Sequence, residues 1–179
     1  MKFVRVRVVN RESWGVIGAD GGVVDLCAEF GNDMPTLRDY LAASDADKAK
    51  VAEYLGTGFG GHAGKASDFP MRDITLREPI TNPGKILCIG LNYRKHAAEA
   101  GLPVPSYPLI FPRWPESHVA HGQPLLAPRE SHQFDYEGEL AVIIGKTARR
   151  VSEADALHYV GGYACYNEGS IRDWQMHTT

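Results

Sequence analysis

The chain has 179 residues, 44% hydrophobic and 23% charged, which excludes wholesale disorder and suits one good-sized domain or one domain with a small appendage. A net charge of −3 without a run of Lys or Arg argues against a phosphate-tracking surface, so nucleic acid is not an expected partner. The longest apolar run is far too short to cross a bilayer, so no membrane partner is expected either.

Residues 2 to 9, KFVRVRVV, alternate polar and apolar side chains and predict a half-exposed strand. SWGVIGADGGVVDL predicts a second strand, a turn at Asp20-Gly21-Gly22 and a short third strand. Thr36 is a candidate N-cap for a helix over LRDYLAAS. Ser44 or Asp45 could cap the next, DADKAKVAEYLGTG, which ends at a glycine. The glycine-rich stretch 57–66 has no G-x-x-x-x-G-K-[ST] pattern and no strand leading in, so it reads as a linker or exposed loop. DITLREPITNP reads as a strand and a turn at Asn82-Pro83, and a boundary is placed there, separating a small N-terminal domain (1–80) from a second unit (81–179).

KILCIG, residues 85 to 90, predicts a buried strand that runs into a short helix over Tyr93 to Ala100, with Gly101 as its left-handed terminator. On that helix His96 and Glu99 are three apart and share a face; such a pair can be an acid–base couple or an ordinary surface contact. PVPSYPLIFPRWPESH carries five of the eleven prolines, which excludes regular helix; PLIF fits an edge strand, and a further strand is expected around Pro124 to Ala127. His118, His121 and His132 fall in this irregular region with no ligand-like spacing and read as loop histidines.

DYEGELAVIIG, residues 135 to 145, is the stretch around which the chain is organised. Its run LAVII predicts a strand covered on both faces. Glu137 and Glu139, two apart, share one side of that strand if its geometry extends back to them. Two neighbouring carboxylates can be reconciled by a bound cation, a shared proton or exposure to water. A helix is expected from Ser152 to about Val160, then a strand from Tyr163 to Tyr166 ending in a polar turn. A helix over IRDWQ follows, with Arg172 and Gln175 as neighbours and Trp174 as packing. Cys88 and Cys165 read as strand-core residues with no basic partner to activate them. Three widely spaced cysteines and an N-terminus without an apolar signal segment fit a cytoplasmic location.

KILCIGLNYRKHAAEAG, DYEGELAVIIGK and GYACYNEGSIRDWQ, in that order and spacing, resemble the fumarylacetoacetate hydrolase family, including its acylpyruvate hydrolase and decarboxylase branches. The resemblance covers about residues 83 to 175. It implies an α+β fold: a mixed β-sandwich roll, incomplete here, with a small N-terminal α/β module. It also implies that the chain stops short, because family members continue for roughly 100 residues more, with a lysine near the substrate and a closing β segment.

Carried over residue by residue, the resemblance makes Glu137 and Glu139 metal ligands. Glu168 stands where the family has aspartate as its third ligand, one methylene longer. Arg172, Gln175 and Tyr93 would touch substrate, and His96 with Glu99, on a lid helix, would handle the water or proton. The implied cofactor is Mg²⁺ or Mn²⁺, with Ca²⁺ as a possible substitute. The implied substrate is a 2-oxo or diketo acid, as in aromatic catabolism, and the implied assembly a homodimer. The expected reaction is hydrolysis of a C–C bond in an acylpyruvate through a metal-stabilised enolate. Decarboxylation or keto–enol isomerisation at the same site is the alternative, and a non-catalytic protein that keeps only the fold is a second one.

Overall fold

The structure, a computed structural model, describes residues 1–56, 63–175 and 177. Alternation places Val6 and Val8 of β1 (Phe3–Val8) on one face, and both are buried. β1 pairs antiparallel with β2 (Arg11–Ile17), Phe3 opposite Val16 and Val8 opposite Arg11. With β3 (Val23–Asp25) and β4 (Ile74–Arg77) the sheet order is β3-β2-β1-β4. The turn joining β1 to β2 holds Val9 at φ +54°, a left-handed conformation that strains a β-branched residue.

Three helices bury one face of this sheet. α1 (Leu26–Phe30), which sequence reading missed, starts where Asp25 accepts a hydrogen bond from the Ala28 amide at 3.2 Å. α2 (Leu37–Ala42) opens with Thr36 and Asp39 in a reciprocal capping box, and α3 (Asp45–Leu55) is capped by Ser44 and closed by Gly56 in the left-handed region. Their apolar residues join Trp14, Val16 and Val24 in one core, where the Trp14 indole N–H donates to the Met34 carbonyl at 2.9 Å. A smaller cluster, Val6, Val8 and Val23, lies on the opposite face.

The rest of the chain builds two antiparallel ribbons. β5 (Ile86–Gly90) pairs with β6 (Leu109–Arg113), and between them runs α4 (Arg94–Glu99). Gly101, at φ +65°, ends α4: its amide donates to Ala98 O and that of Leu102 to Ala97 O, the pair of bonds that closes a helix on a left-handed residue. β7 (Phe134–Ile144) pairs with β8 (Val160–Ile171), and α5 (Arg172–Gln175) follows at once. The base of the second ribbon meets the N-terminal module: a Cβ at Gly161 would stand 3.1 Å from Gly145 Cα and 3.4 Å from Leu41 Cδ2, so both glycines permit a close approach. Ile143 packs on the Trp14 core.

Several expectations need correction. β7 and β5 are covered on one face only: Leu140 is 59% exposed and Leu87 56%, because nothing among the described residues packs on the outer sides of these ribbons. Ser152 does cap a helical turn, but Glu153–Tyr159 is 3₁₀, not α. No strand forms at Pro124 to Ala127. Cys165 and Trp174 are exposed, not packed in a core. Of the glycine-rich stretch 57–66, residues 57–62 lie outside the described residues. The most consequential correction concerns Asn167 to Ser170, expected as a turn: β8 continues through them to Ile171.

Candidate metal and substrate site

The length of β8 decides the site. Its register sets Glu168 directly opposite Glu137, and Tyr166 opposite Glu139. Directly paired residues point to the same side of a ribbon, with Cβ atoms about 5 Å apart. Glu139, two along from Glu137, shares that side. The three carboxylates predicted as ligands, from two separated stretches, therefore share one face. Burial alternates along both strands, and this face is the covered one; Glu168 is 6% exposed.

Two arginines neutralise much of this charge. Arg113, at the end of β6, donates from Nε to Glu168 Oε1 at 2.8 Å, and its Nη2 lies 2.6 Å from the same oxygen. Nη2 also donates to Gly169 O and Ser170 Oγ, each at 3.3 Å. Arg172, at the start of α5, pairs with Asp135 Oδ2 and Glu137 Oε1, each at 2.9 Å, and its Nη1 donates to Gln175 Oε1 at 3.2 Å. The Arg172 guanidinium holds the Asp135 carboxyl below its ordinary value, with help from the Tyr136 amide. No partner is found for the Glu139 carboxylate among the described residues.

Beside Glu168 lies Cys88 of β5. Burial, and then the Glu168 carboxylate, push its thiol up to about 11, with Arg113 acting in the other direction. At neutral pH it is a protonated thiol, which agrees with its reading as a non-nucleophile. Burial likewise raises the Tyr166 hydroxyl. The Tyr166 ring faces His118 with centroids 6.2 Å apart, so one of the loop histidines does border the site.

The helix bearing His96 and Glu99 is less assembled. Both side chains are exposed, and no hydrogen bond or ion pair joins them among the described residues. Only Ala97 of α4 is buried. Tyr93 occupies the N-cap position without a side-chain cap bond and is 44% exposed. Leu91, between β5 and α4, sits at φ +53°, so the connection to this helix is strained. The structure thus brings together Glu137, Glu139, Glu168, Arg172 and Gln175, and leaves His96, Glu99 and Tyr93 exposed on or beside α4, with no hydrogen bond or ion pair joining them among the described residues.

The fit of a divalent cation can be judged from these donors. Three carboxylates on one face, two of them in direct register, are the hard oxygen set that Mg²⁺ or Mn²⁺ prefers. Asp135, Glu137, Glu139 and Glu168 face only two guanidiniums, so two negative charges stay uncompensated there. The side chains as found turn toward the arginines: among the described residues no three His, Cys, Asp or Glu side chains converge on an ion position. Residue types and backbone placement fit a cation, while the rotamers are those of two ion pairs.

Sequence reading missed Arg113 and Asp135. Arg172 pairs with Asp135 and Glu137 and not with the adjacent Asp173, which accepts from the Ser131 hydroxyl at 2.6 Å. A signal for Arg113 was present: Leu109, Phe111 and Arg113 share one side of an edge strand, so a strand running past PLIF carries an arginine inward.

Comparison with known proteins matches this geometry to a family. The family model described as fumarylacetoacetate (FAA) hydrolase C-terminal matches residues 85–179. A bovine (Bos taurus) relative, oxaloacetate tautomerase FAHD2A, mitochondrial, is 35% identical over 160 residues, which are 89% of this chain and 48% of that protein. Among solved structures, fumarylacetoacetate hydrolase from Exiguobacterium antarcticum superposes with a TM-score of 0.67 at 26% identity, over 99% of this chain and 58% of that one. Maleylpyruvate hydrolase from Sphingobium sp. SYK-6, solved with manganese(II) and pyruvate, shares the fold with a TM-score of 0.70 at 24% identity, over 96% of this chain and 60% of its own. The chain spans about half the length of the curated relatives it matches. With the family model covering more than half of its residues and the ribbons following the same fold, the chain belongs to the fumarylacetoacetate hydrolase family.

Proposed function

We propose that this chain carries the carboxylate part of a divalent-metal site in an enzyme that acts on 2-oxo or 1,3-diketo acids, with hydrolysis of an acylpyruvate C–C bond as its reaction. The observation that carries the reading is the cross-strand register of Glu137 with Glu168, Glu139 beside them on the same face. The proposed ligands are those three glutamates, and the proposed ion is Mg²⁺ or Mn²⁺; the manganese in maleylpyruvate hydrolase supports the choice. When bound, such an ion supplies Lewis acidity that draws electron density from the keto acid.

The chain's own residues do the rest. Arg172 presents a planar fork suited to the substrate carboxylate, and Gln175, already bonded to it, supplies an amide beside that fork. Engaging substrate requires Arg172 to release Asp135 or Glu137, so substrate and metal recruit side chains that now hold each other. Tyr93 borders the substrate from the N-terminus of α4. His96, oriented by Glu99 when α4 closes over the site, takes a proton from water for attack on the distal carbonyl. Residues 1–80 serve as a supporting module and 81–179 carry the chemistry.

A second reading has an observation of its own: the 35% identical bovine relative is named an oxaloacetate tautomerase. Keto–enol exchange needs only proton transfer, so His96 and Glu99 would shuttle a proton without activating water. The three free thiols suit a reducing compartment, and that relative is named as mitochondrial. No helix among the described residues is long and apolar enough to cross a membrane.

The test is turnover of acylpyruvates, and of oxaloacetate between its keto and enol forms, with Mg²⁺ or Mn²⁺ and then with chelator. Metal-dependent C–C cleavage supports hydrolysis, and metal-dependent tautomerisation alone supports the second reading. Absence of metal binding, with Glu137→Gln no different from the parent, leaves a protein that keeps the fold only.

A further inference from the structure

α5 is a single turn of four residues, too short to hold its shape alone in water, so its place is set by what it is tied to. Among the described residues its hydrogen bonds to the rest of the chain come from two positions. At Arg172 the backbone N–H donates to Gln133 O at 2.9 Å, and the guanidinium holds Asp135 and Glu137. At Asp173, Oδ1 accepts from the Ser131 hydroxyl at 2.6 Å, across 42 positions of sequence. Ser131 Oγ in turn accepts from the Gln133 amide at 3.0 Å. One hydroxyl therefore closes residues 131–133 on themselves and fastens them to α5. Ser131 is 7% exposed, although His132 and Gln133 beside it are exposed. Its bond, with that of the Trp174 amide, holds the Asp173 carboxyl below its ordinary value.

These ties are not equivalent once substrate arrives. Arg172 has to release Asp135 or Glu137 to present its fork to a substrate carboxylate, and part of what now fastens α5 goes with that release. The bonds that stay both run to residues 131–133: Arg172 N–H to Gln133 O, and Ser131 to Asp173. We propose that Ser131 is a positioning residue for Arg172. Its bond to Asp173 keeps α5, and with it the Arg172 fork and the Gln175 amide, in place while Arg172 exchanges a protein carboxylate for that of a 2-oxo acid. The inference deepens the reading of Arg172 as the carboxylate clamp and rests on it. A planar, two-point donor loses its match to a carboxylate when its base tilts. A buried hydroxyl one residue removed can fix that tilt without touching substrate.

Ser131→Ala removes the bond, whereas Asp173→Asn keeps an acceptor oxygen for the Ser131 hydroxyl. The full chain, these two variants and Arg172→Met are titrated with pyruvate in the presence of Mn²⁺ by calorimetry. Mn²⁺ affinity and melting temperature are recorded alongside. Ser131→Ala is expected to weaken pyruvate binding about three- to tenfold, the loss of one hydrogen bond's worth of placement, with Mn²⁺ affinity as in the parent and Asp173→Asn closer to the parent. A residue that serves stability alone lowers the melting temperature and leaves pyruvate affinity unchanged; that outcome overturns the proposal. A matching loss of Mn²⁺ affinity overturns it as well, because Ser131 would then act on the carboxylates and not on Arg172. If Ser131→Ala does not fold, Asp173→Ala, which removes the acceptor, decides by the same comparison. If Arg172→Met loses pyruvate and Ser131→Ala does not, the clamp reading stands and only the positioning role falls. If the parent binds no pyruvate, or Arg172→Met binds it as the parent does, the clamp reading itself fails and the proposal with it.

Discussion

Single side chains in this protein are explained by their neighbours more than by their type. Asp135 shows this with a direction that can be tested. Its carboxyl is held below its ordinary value chiefly by the hydrogen bonds from Arg172. A pKa lower in the folded than in the unfolded chain contributes stability that is complete above the ordinary carboxylate value. That contribution is lost as pH falls through the lowered one. Arg172→Met is therefore expected to flatten the acid side of the stability profile between about pH 5 and pH 2, read by denaturant unfolding at each pH. The effect is modest, since Asp135 is half exposed and water screens the pair. Cys88 carries the same lesson for a neutral group: burial and a carboxylate neighbour, not its sequence context, raise its thiol above the ordinary value.

At the level of elements, local chemistry reads well wherever a cap or turn residue acts through its own neighbours. Thr36, Ser44, Gly56 and Gly101 each start or stop a helix as their types predict. Thr36→Ala removes a side chain that accepts from the Asp39 amide at 3.2 Å and should cost about 1 kcal/mol in urea unfolding. The elements misread share a cause. α1 is a helix of five residues hidden behind a strand pattern, and its capping aspartate is the last residue of β3. Residues 167–170 have turn-forming composition, but β7 offers them a full ladder, and pairing with a long neighbour overrides local preference.

For the whole molecule, what stands out is the contrast between the two halves. The N-terminal sheet is buried on both sides around Trp14, Val16 and Leu55, each at most 1% exposed. The ribbons have a covered, charged inner face and an apolar outer face on which Tyr136, Leu140, Val142, Ile144 and Tyr163 are exposed. An apolar face of that kind favours self-association. Leu140→Lys combined with Val142→Lys should increase the monomeric fraction by light scattering and leave Mn²⁺ binding unchanged, because both side chains point away from the glutamates. Loss of Mn²⁺ binding in that variant would mean that the two faces are not independent.

The residues by themselves determined the chemistry on offer: an acidic pair two apart, a third acid, an arginine and a glutamine one helical turn apart, and a family pattern joining them. They also determined the helix ends, since capping is a contact between neighbours in the chain. Only the tertiary structure decided that Glu168 lies opposite Glu137, because strand register depends on a partner 31 positions away and not on local preference. It alone decided that Arg113 grips Glu168, a contact across 55 positions that places a counter-charge inside a covered face. Exposure of the outer faces was equally beyond composition: an apolar strand reads the same whether one or both of its sides are covered.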